Sequence, residues 1–96
     1  MIELTKDNFE EETKTGKIVV DCWAKWCGKC KMLKPKFEEL AQKNTDYKFC
    51  TLDVDAFPVA IEKLNIANLP TILVFEDGKE VKRGSFDIIK EINKEI

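Results

Sequence analysis

The sequence feature that most constrains this chain is a pair of cysteines, Cys27 and Cys30, placed where a strand pattern changes to a helix pattern. The run before the pair, residues 17–22 (KIVVDC), is apolar and rich in β-branched residues, which is typical of a strand. After the pair, apolar residues recur at helical spacing: Leu33, Phe37, Leu40 and Ala41. We therefore predict a strand over 17–23 that leads into a helix over about 27–43.

The start of a helix changes the chemistry of a cysteine. Unpaired backbone N–H groups and the positive end of the helix dipole stabilise a thiolate there. Because the thiolate is the form that attacks disulfides, we predict that Cys27 is the nucleophile. Cys30 follows one helical turn later, where it can displace the first partner as the resolving thiol. The pair therefore predicts thiol–disulfide exchange through a mixed disulfide.

The segment 23–31 (WAKWCGKCK) resembles the active site of the thioredoxin family. Further matches occur in the family's order: VVD at 19–21, DVD at 53–55 followed by Pro58, LPT at 69–71, and DG at 77–78 followed by Gly84. The resemblance covers essentially all 96 residues. It implies one thioredoxin domain over 1–96, with an α/β fold. In that fold a central mixed five-stranded sheet is flanked by four helices, in the order β-α-β-α-β-α-β-β-α.

Local patterns place the remaining elements. Thr5 is predicted to cap a helix that begins at Lys6. Pro35 lies inside the second helix, where a proline is expected to cause a kink. Further strands are predicted over 47–53 and 71–75, with a hairpin turn at 77–78. Two sets of helical residues are expected to point inward: Ala60, Ile61 and Leu64 after Pro58, and Ile88, Ile89, Ile92 and Ile96 in the last helix.

Asp21 is a carboxylate within the apolar strand. Burial disfavours its ionised form, so we expect a raised pKa and a proton held near neutral pH. The resemblance implies that Asp21 lies beneath the cysteine pair and relays a proton to or from Cys30. Many family members pair this aspartate with a lysine on the third strand, and the matching residue here is Thr51. The alternative is an aspartate at the end of the strand that faces solvent.

Three residues beside the cysteines are predicted to support the active site: Trp26, Gly28 and Lys29. Family members often have proline where this chain has Lys29, between Gly28 and Cys30. A lysine there attracts the thiolates, which stabilises the reduced form and makes the couple a weaker reductant. The alternative is a solvated lysine with no such effect. Trp26 resembles the family's partly exposed tryptophan, which shields the thiol and contacts partners.

The resemblance also implies a groove that binds the substrate. It places a cis peptide bond before Pro70, facing the cysteines, where the Leu69 backbone pairs with an extended substrate segment by strand addition. Gly84, inside a strand, permits close backbone approach and borders the same groove. The predicted substrate-binding set is therefore Trp26, Leu69, Pro70 and Gly84.

Composition narrows the function classes. The net charge is −2 and no apolar stretch approaches the length of a membrane span, so neither nucleic acid nor a membrane is an expected partner. Residues 1–6 lack the basic and apolar regions of a signal peptide, which predicts the cytoplasm, where cysteines stay reduced unless they are catalytic. Histidine is absent, which excludes Cys–His catalysis and any zinc site that needs imidazole.

The resemblance implies particular cofactors and partners. The redox group is the reversible Cys27–Cys30 disulfide, with no bound cofactor and no metal. A separate thioredoxin reductase restores the dithiol, and the substrates are proteins that carry disulfides. The chain is expected to be a monomer.

Two other interpretations remain open. Cys22, Cys27 and Cys30 have the spacing C-x₄-C-x₂-C, with Cys50 downstream, which is the spacing of a plant-type [2Fe–2S] ferredoxin. Against a cluster, Cys22 is embedded in an apolar strand, and Cys22 and Cys50 are better explained as buried, inert thiols. The second interpretation is a thioredoxin-like binding module that uses the groove without turnover.

Overall fold

The computed structural model describes residues 1–95. Its elements are β1 (Ile2–Glu3), α1 (Phe9–Thr13), β2 (Lys17–Trp23), α2 (Gly28–Lys43), β3 (Lys48–Asp53), α3 (Val59–Lys63), β4 (Thr71–Glu76), β5 (Lys79–Gly84) and α4 (Phe86–Asn93). The predicted order of elements is confirmed.

The five strands form one mixed sheet in the order β1-β3-β2-β4-β5. Strand β3 is parallel to both of its neighbours, β1 and β2, whereas β4 is antiparallel to both β2 and β5. Strand β2 is the centre of the sheet, and its residues 18–22 are buried in succession. This continuous burial explains the apolar run in the sequence, because a central strand with both faces covered has no solvent side.

The core has two layers, one on each face of the sheet. On one face, α2 and α4 pack against the sheet through Leu33, Phe37, Leu40, Ile88, Ile89 and Ile92. The predicted inward face of the last helix is thus confirmed for these isoleucines, and Ile96 lies outside the described residues. The opposite layer holds Cys22, Cys50 and the cysteine pair, with Leu64 and Leu69 packed against it.

Three local predictions are wrong. The first helix begins at Phe9, because the Asn8 carboxamide accepts the Thr5 N–H at 2.7 Å and the Thr5 hydroxyl accepts the Asp7 N–H at 3.2 Å. These bonds hold residues 5–7 in a turn that competes with helix. Strand β3 begins one residue later than expected, at Lys48. Ile61 is 43% exposed, since the five-residue helix α3 turns Ala60 rather than Ile61 into the core.

Register brings three chain segments to one edge of the sheet. Strand β2 ends where Trp23 pairs with Asp53, and the loop that follows it carries the cysteines. The first residue of β4, Thr71, pairs with Cys22, so the segment before β4 lies at the same edge. Gly84, at the end of β5, pairs with Ile72 and also arrives there. The topology therefore gathers the cysteine loop, the 69–70 turn and the end of β5 at one place.

Candidate active site

The two cysteines occupy the start of α2 and are joined by a disulfide, with 5.3 Å between their Cα atoms. Cys27 is the N-cap of the helix, in an extended conformation, rather than its first helical residue as the sequence predicted. Its sulfur accepts a hydrogen bond from the Cys30 N–H at 3.1 Å. When the disulfide opens, negative charge on the Cys27 sulfur therefore faces a backbone donor and the positive end of the helix dipole.

The pair is buried beneath an exposed rim. Cys27 is 6% exposed and Cys30 is 3% exposed, whereas the neighbouring Trp26 is 71% exposed. Gly28 and Lys29 are exposed as well. The Trp26 side chain therefore lies at the surface beside the buried sulfur atoms.

Asp21 is buried in β2, only 3% exposed, so the alternative of a solvent-facing aspartate is wrong. Within residues 1–95, its Oδ1 atom has no hydrogen-bond partner. Burial raises the pKa of Asp21 from 3.8 to about 7, and the positive charge of Lys34 acts in the opposite direction. The residue beside Asp21 on β3 is Thr51, as the sequence predicted, so no lysine approaches Asp21 from that position.

A cavity of about 460 Å³ lies between Asp21 and Cys30, both of which line it. Asp21, Trp23, Cys30 and Thr51 line it, together with charged side chains from α2. We call it the Asp21 cavity. Asp21 and Cys30 therefore border the same cavity rather than being separated by packed side chains.

The segment before β4 carries the cis peptide bond that the resemblance implied, between Leu69 and Pro70. Pro70 is buried, and Leu69 packs against the core layer that contains both cysteines. Arg83 binds the loop that precedes this segment. Its guanidinium group donates hydrogen bonds to the carbonyl oxygens of Leu64 at 2.6 Å and Asn65 at 2.7 Å. The sequence does not predict this role of Arg83, because no local pattern connects the residue with a loop eighteen residues away.

The structure gives a reason for a glycine at position 84 that is not evident from the sequence. A Cβ atom at this position would lie 2.6 Å from the Asp87 carboxylate and 2.7 Å from Cγ1 of the buried Ile88. The close approach is thus to the first turn of α4. This contact explains the absence of a side chain without any reference to substrate.

Cys22 and Cys50 are fully buried, as predicted. Burial raises the pKa of Cys22 to about 12 and that of Cys50 to about 11, so both remain protonated thiols near neutral pH. Within residues 1–95, no three histidine, cysteine, aspartate or glutamate side chains are grouped so as to hold a metal ion. The disulfide also joins two of the four cysteines that an iron–sulfur cluster would require.

The family model for thioredoxin matches residues 1–94. The chain is a member of the thioredoxin family. It is 41% identical to a thioredoxin of Chlamydia muridarum over 81 residues, which cover 84% of this chain and 79% of that protein. It is 40% identical to a thioredoxin of Staphylococcus haemolyticus, over 86% of this chain and 81% of that protein.

Solved structures give the same result. Mitochondrial thioredoxin 3 from Saccharomyces cerevisiae, in its oxidised form, matches with a TM-score of 0.87 and 29% identity, over 98% of this chain and 94% of that one. The thioredoxin fold predicted from the sequence is therefore confirmed. Family, fold and a cysteine pair at disulfide distance together establish the protein as a thiol–disulfide oxidoreductase.

Proposed function

We propose that this thioredoxin reduces disulfides in cytoplasmic proteins, with Cys27 as nucleophile, Cys30 as resolving thiol and Asp21 as proton relay. The observation that carries the proposal is the arrangement at the start of α2. The Cys27 sulfur accepts the Cys30 N–H, and Cys30 borders the cavity that contains Asp21. This arrangement supports different roles for the two sulfur atoms.

The first step is attack by the Cys27 thiolate on one sulfur of the target disulfide. A bond forms between Cys27 and that sulfur, and the other target sulfur leaves as a thiolate. The helix N-terminus stabilises the attacking thiolate through the Cys30 N–H and the dipole. The product is a mixed disulfide between this protein and its target.

The second step resolves the mixed disulfide. The Cys30 thiol gives its proton to the Asp21 carboxylate, and the resulting thiolate attacks the Cys27 sulfur. The Cys27–Cys30 disulfide forms and the remaining target sulfur leaves as a thiolate, so two electrons pass to the target. Because burial raises the pKa of Asp21 to about 7, this carboxyl group can both accept and release a proton near neutral pH.

Target binding is assigned to the edge of the sheet beside the cysteines. The exposed indole of Trp26 provides apolar contact. The turn formed by Leu69 and Pro70 provides backbone groups for an extended target segment, and Gly84 ends the neighbouring strand at the same edge. Gly28 and Lys29 form the exposed rim between the two cysteines.

The remaining assignments follow the family. Residues 1–96 form a single domain that acts as a monomer, and a separate thioredoxin reductase returns electrons to the Cys27–Cys30 disulfide. The disulfide is the redox group, with no bound cofactor. No helix among residues 1–95 is both long enough and apolar enough to cross a bilayer. In this role the protein carries electrons in the control of cellular redox state.

The assay is reduction of insulin disulfides, with dithiothreitol as the electron source. Cys27→Ser is expected to abolish turnover. Reduced Cys30→Ser, mixed with insulin after dithiothreitol has been removed, is expected to accumulate a mixed disulfide that mass spectrometry detects. Cys22→Ala is the matched control, because it removes a buried thiol that is outside the pair. Turnover that survives in Cys27→Ser would exclude Cys27 as the nucleophile. An unmodified protein that gives no turnover above the dithiothreitol background would show a binding module rather than a reductase.

The relay role of Asp21 needs its own measurement. Asp21→Asn should slow the resolution of the mixed disulfide by about 10²-fold or more, the usual contribution of general acid–base catalysis. The rate is followed by stopped-flow fluorescence between pH 6 and 9, and circular dichroism checks the fold. Equal rates for the two proteins across that range would exclude the relay.

A further inference from the structure

The charges around Asp21 differ from the arrangement expected of a thioredoxin with a lysine on the third strand. In the sheet, the neighbours of Asp21 are the uncharged Thr51 on β3 and Ile72 on β4. The residues with charged groups that line the Asp21 cavity are Met1 before β1, Lys25 after β2, and Lys31, Lys34 and Glu38 on α2. Any cation that influences Asp21 through this cavity must therefore come from outside the sheet.

Lys34 follows Cys30 by about one turn of helix α2. The two residues are four positions apart on α2, so their side chains lie on the same face of the helix. Both line the Asp21 cavity, as does Thr51 on β3. The lysine stem can thus extend along the cavity wall while its ammonium group remains hydrated at the opening. Lys34 is exposed, which agrees with this position.

We propose that Lys34 is the cationic partner of Asp21, and that it replaces from helix α2 the lysine that many family members carry on the third strand. Lys34 is a positioning residue in this scheme, because it acts on the reaction only through the carboxyl group of Asp21. The proposal rests on the relay role assigned to Asp21 above. It explains how this chain keeps a proton acceptor beneath Cys30 although residue 51 is a threonine.

The consequence for the reaction follows from the second step. Cys30 can lose its proton to Asp21 only while Asp21 is ionised, and the Lys34 charge increases the ionised fraction at a given pH. Without that charge, Asp21 holds its proton to higher pH. Fewer molecules then carry a free acceptor when the mixed disulfide forms.

The test compares Lys34→Met with Lys36→Met. Lys36 lies on the same helix but lines a different cavity, with Glu39 and Phe86, so the control removes the same charge at a different place. Lys34→Arg keeps the charge. In each oxidised protein the Asp21 carboxyl carbon is titrated by ¹³C NMR, with Asp21→Asn used to assign the signal. The rate of resolution is then measured against pH.

We expect Lys34→Met to move the Asp21 titration from about pH 7 to higher pH by roughly half a unit to one unit. This corresponds to a fall of about two- to five-fold in the resolution rate at pH 7. Lys36→Met and Lys34→Arg should both titrate as the unmodified protein does. The proposal is overturned if Lys34→Met leaves the titration unchanged, if Lys36→Met moves it equally, or if Lys34→Arg behaves like Lys34→Met.

The two readouts separate this proposal from the proposed relay. A titration that moves in Lys34→Met while the rate does not would support the Lys34–Asp21 pairing and refute the relay. A titration that stays in place while Asp21→Asn slows resolution would refute the pairing and leave the relay supported.

Discussion

Replacement of Asp21 by asparagine should change how the stability of this protein depends on pH. Burial raises the pKa of Asp21 from 3.8 to about 7 in the folded state. Below about pH 4 the carboxyl group is neutral in both the folded and the unfolded chain, so it imposes no electrostatic penalty. Between about pH 4 and 7 the unfolded chain releases the proton first, so stability falls as the pH rises. Above about pH 7 both states are ionised and the penalty is constant.

The size of the effect follows from the two pKa values. They differ by about three pKa units, each of which corresponds to about 1.4 kcal/mol, so the folded state loses about 4 kcal/mol of stability across this window. A domain of this size is stable by only about 5–15 kcal/mol, so a loss of that size is readily measured. An asparagine at position 21 does not titrate and removes the loss.

Urea denaturation of both oxidised proteins between about pH 4 and 8 measures this difference. The buried asparagine adds an offset that does not depend on pH, so the decisive quantity is how the difference in unfolding free energy changes with pH. All other acidic groups are shared and cancel. We expect the difference to grow by about 4 kcal/mol in favour of Asp21→Asn as the pH rises. A difference that stays constant, or that shrinks, would refute the raised pKa of Asp21.

Three further predictions concern neighbouring residues. Lys29→Pro removes an exposed positive charge beside the thiolates and should lower the reduction potential by up to roughly 20 mV, measured in thiol–disulfide buffers; a potential that rises would contradict the proposed effect of Lys29. Gly84→Ala should destabilise the fold by about 1–3 kcal/mol in urea, because the new methyl group overlaps the buried Ile88 side chain; unchanged stability would show that α4 moves aside freely. Thr51→Lys places a cation beside Asp21 and should bring the pKa of that carboxyl group below about 7, as measured by NMR titration; a higher pKa would show that the two side chains do not interact.

The sequence predicts the parts of this fold in which a local pattern and tertiary packing agree. Strand β2 is apolar because both of its faces are covered, and α2 repeats its apolar residues because one face is covered. The sequence singles out Asp21 as a candidate functional residue, because a charged side chain within the apolar strand β2 is costly to bury. Strong patterns therefore located the site as well as its scaffold.

The failures lie where short segments or distant contacts decide the structure. Helix α3 has only five residues, which is too few for the sequence pattern to predict its buried face. The prediction that Ile61 points inward is wrong for this reason. A glycine is required at position 84 because a Cβ atom there would overlap the first turn of α4. The sequence around Gly84 does not reveal this contact. Lys34 carries a detectable signal, its spacing of four from Cys30, but the cavity that makes this spacing meaningful appears only in three dimensions.

The reduction potential of the Cys27–Cys30 couple decides whether this protein can serve as a reductant of protein disulfides. Trp23 and Trp26, on either side of the loop before Cys27, should report the redox state by fluorescence in graded thiol–disulfide buffers. We expect a single two-electron transition near that of thioredoxin itself, about −270 mV, as required of a general reductant. A transition at about −180 mV or above, or none at all, would contradict the assignment of this protein as a reductase of protein disulfides.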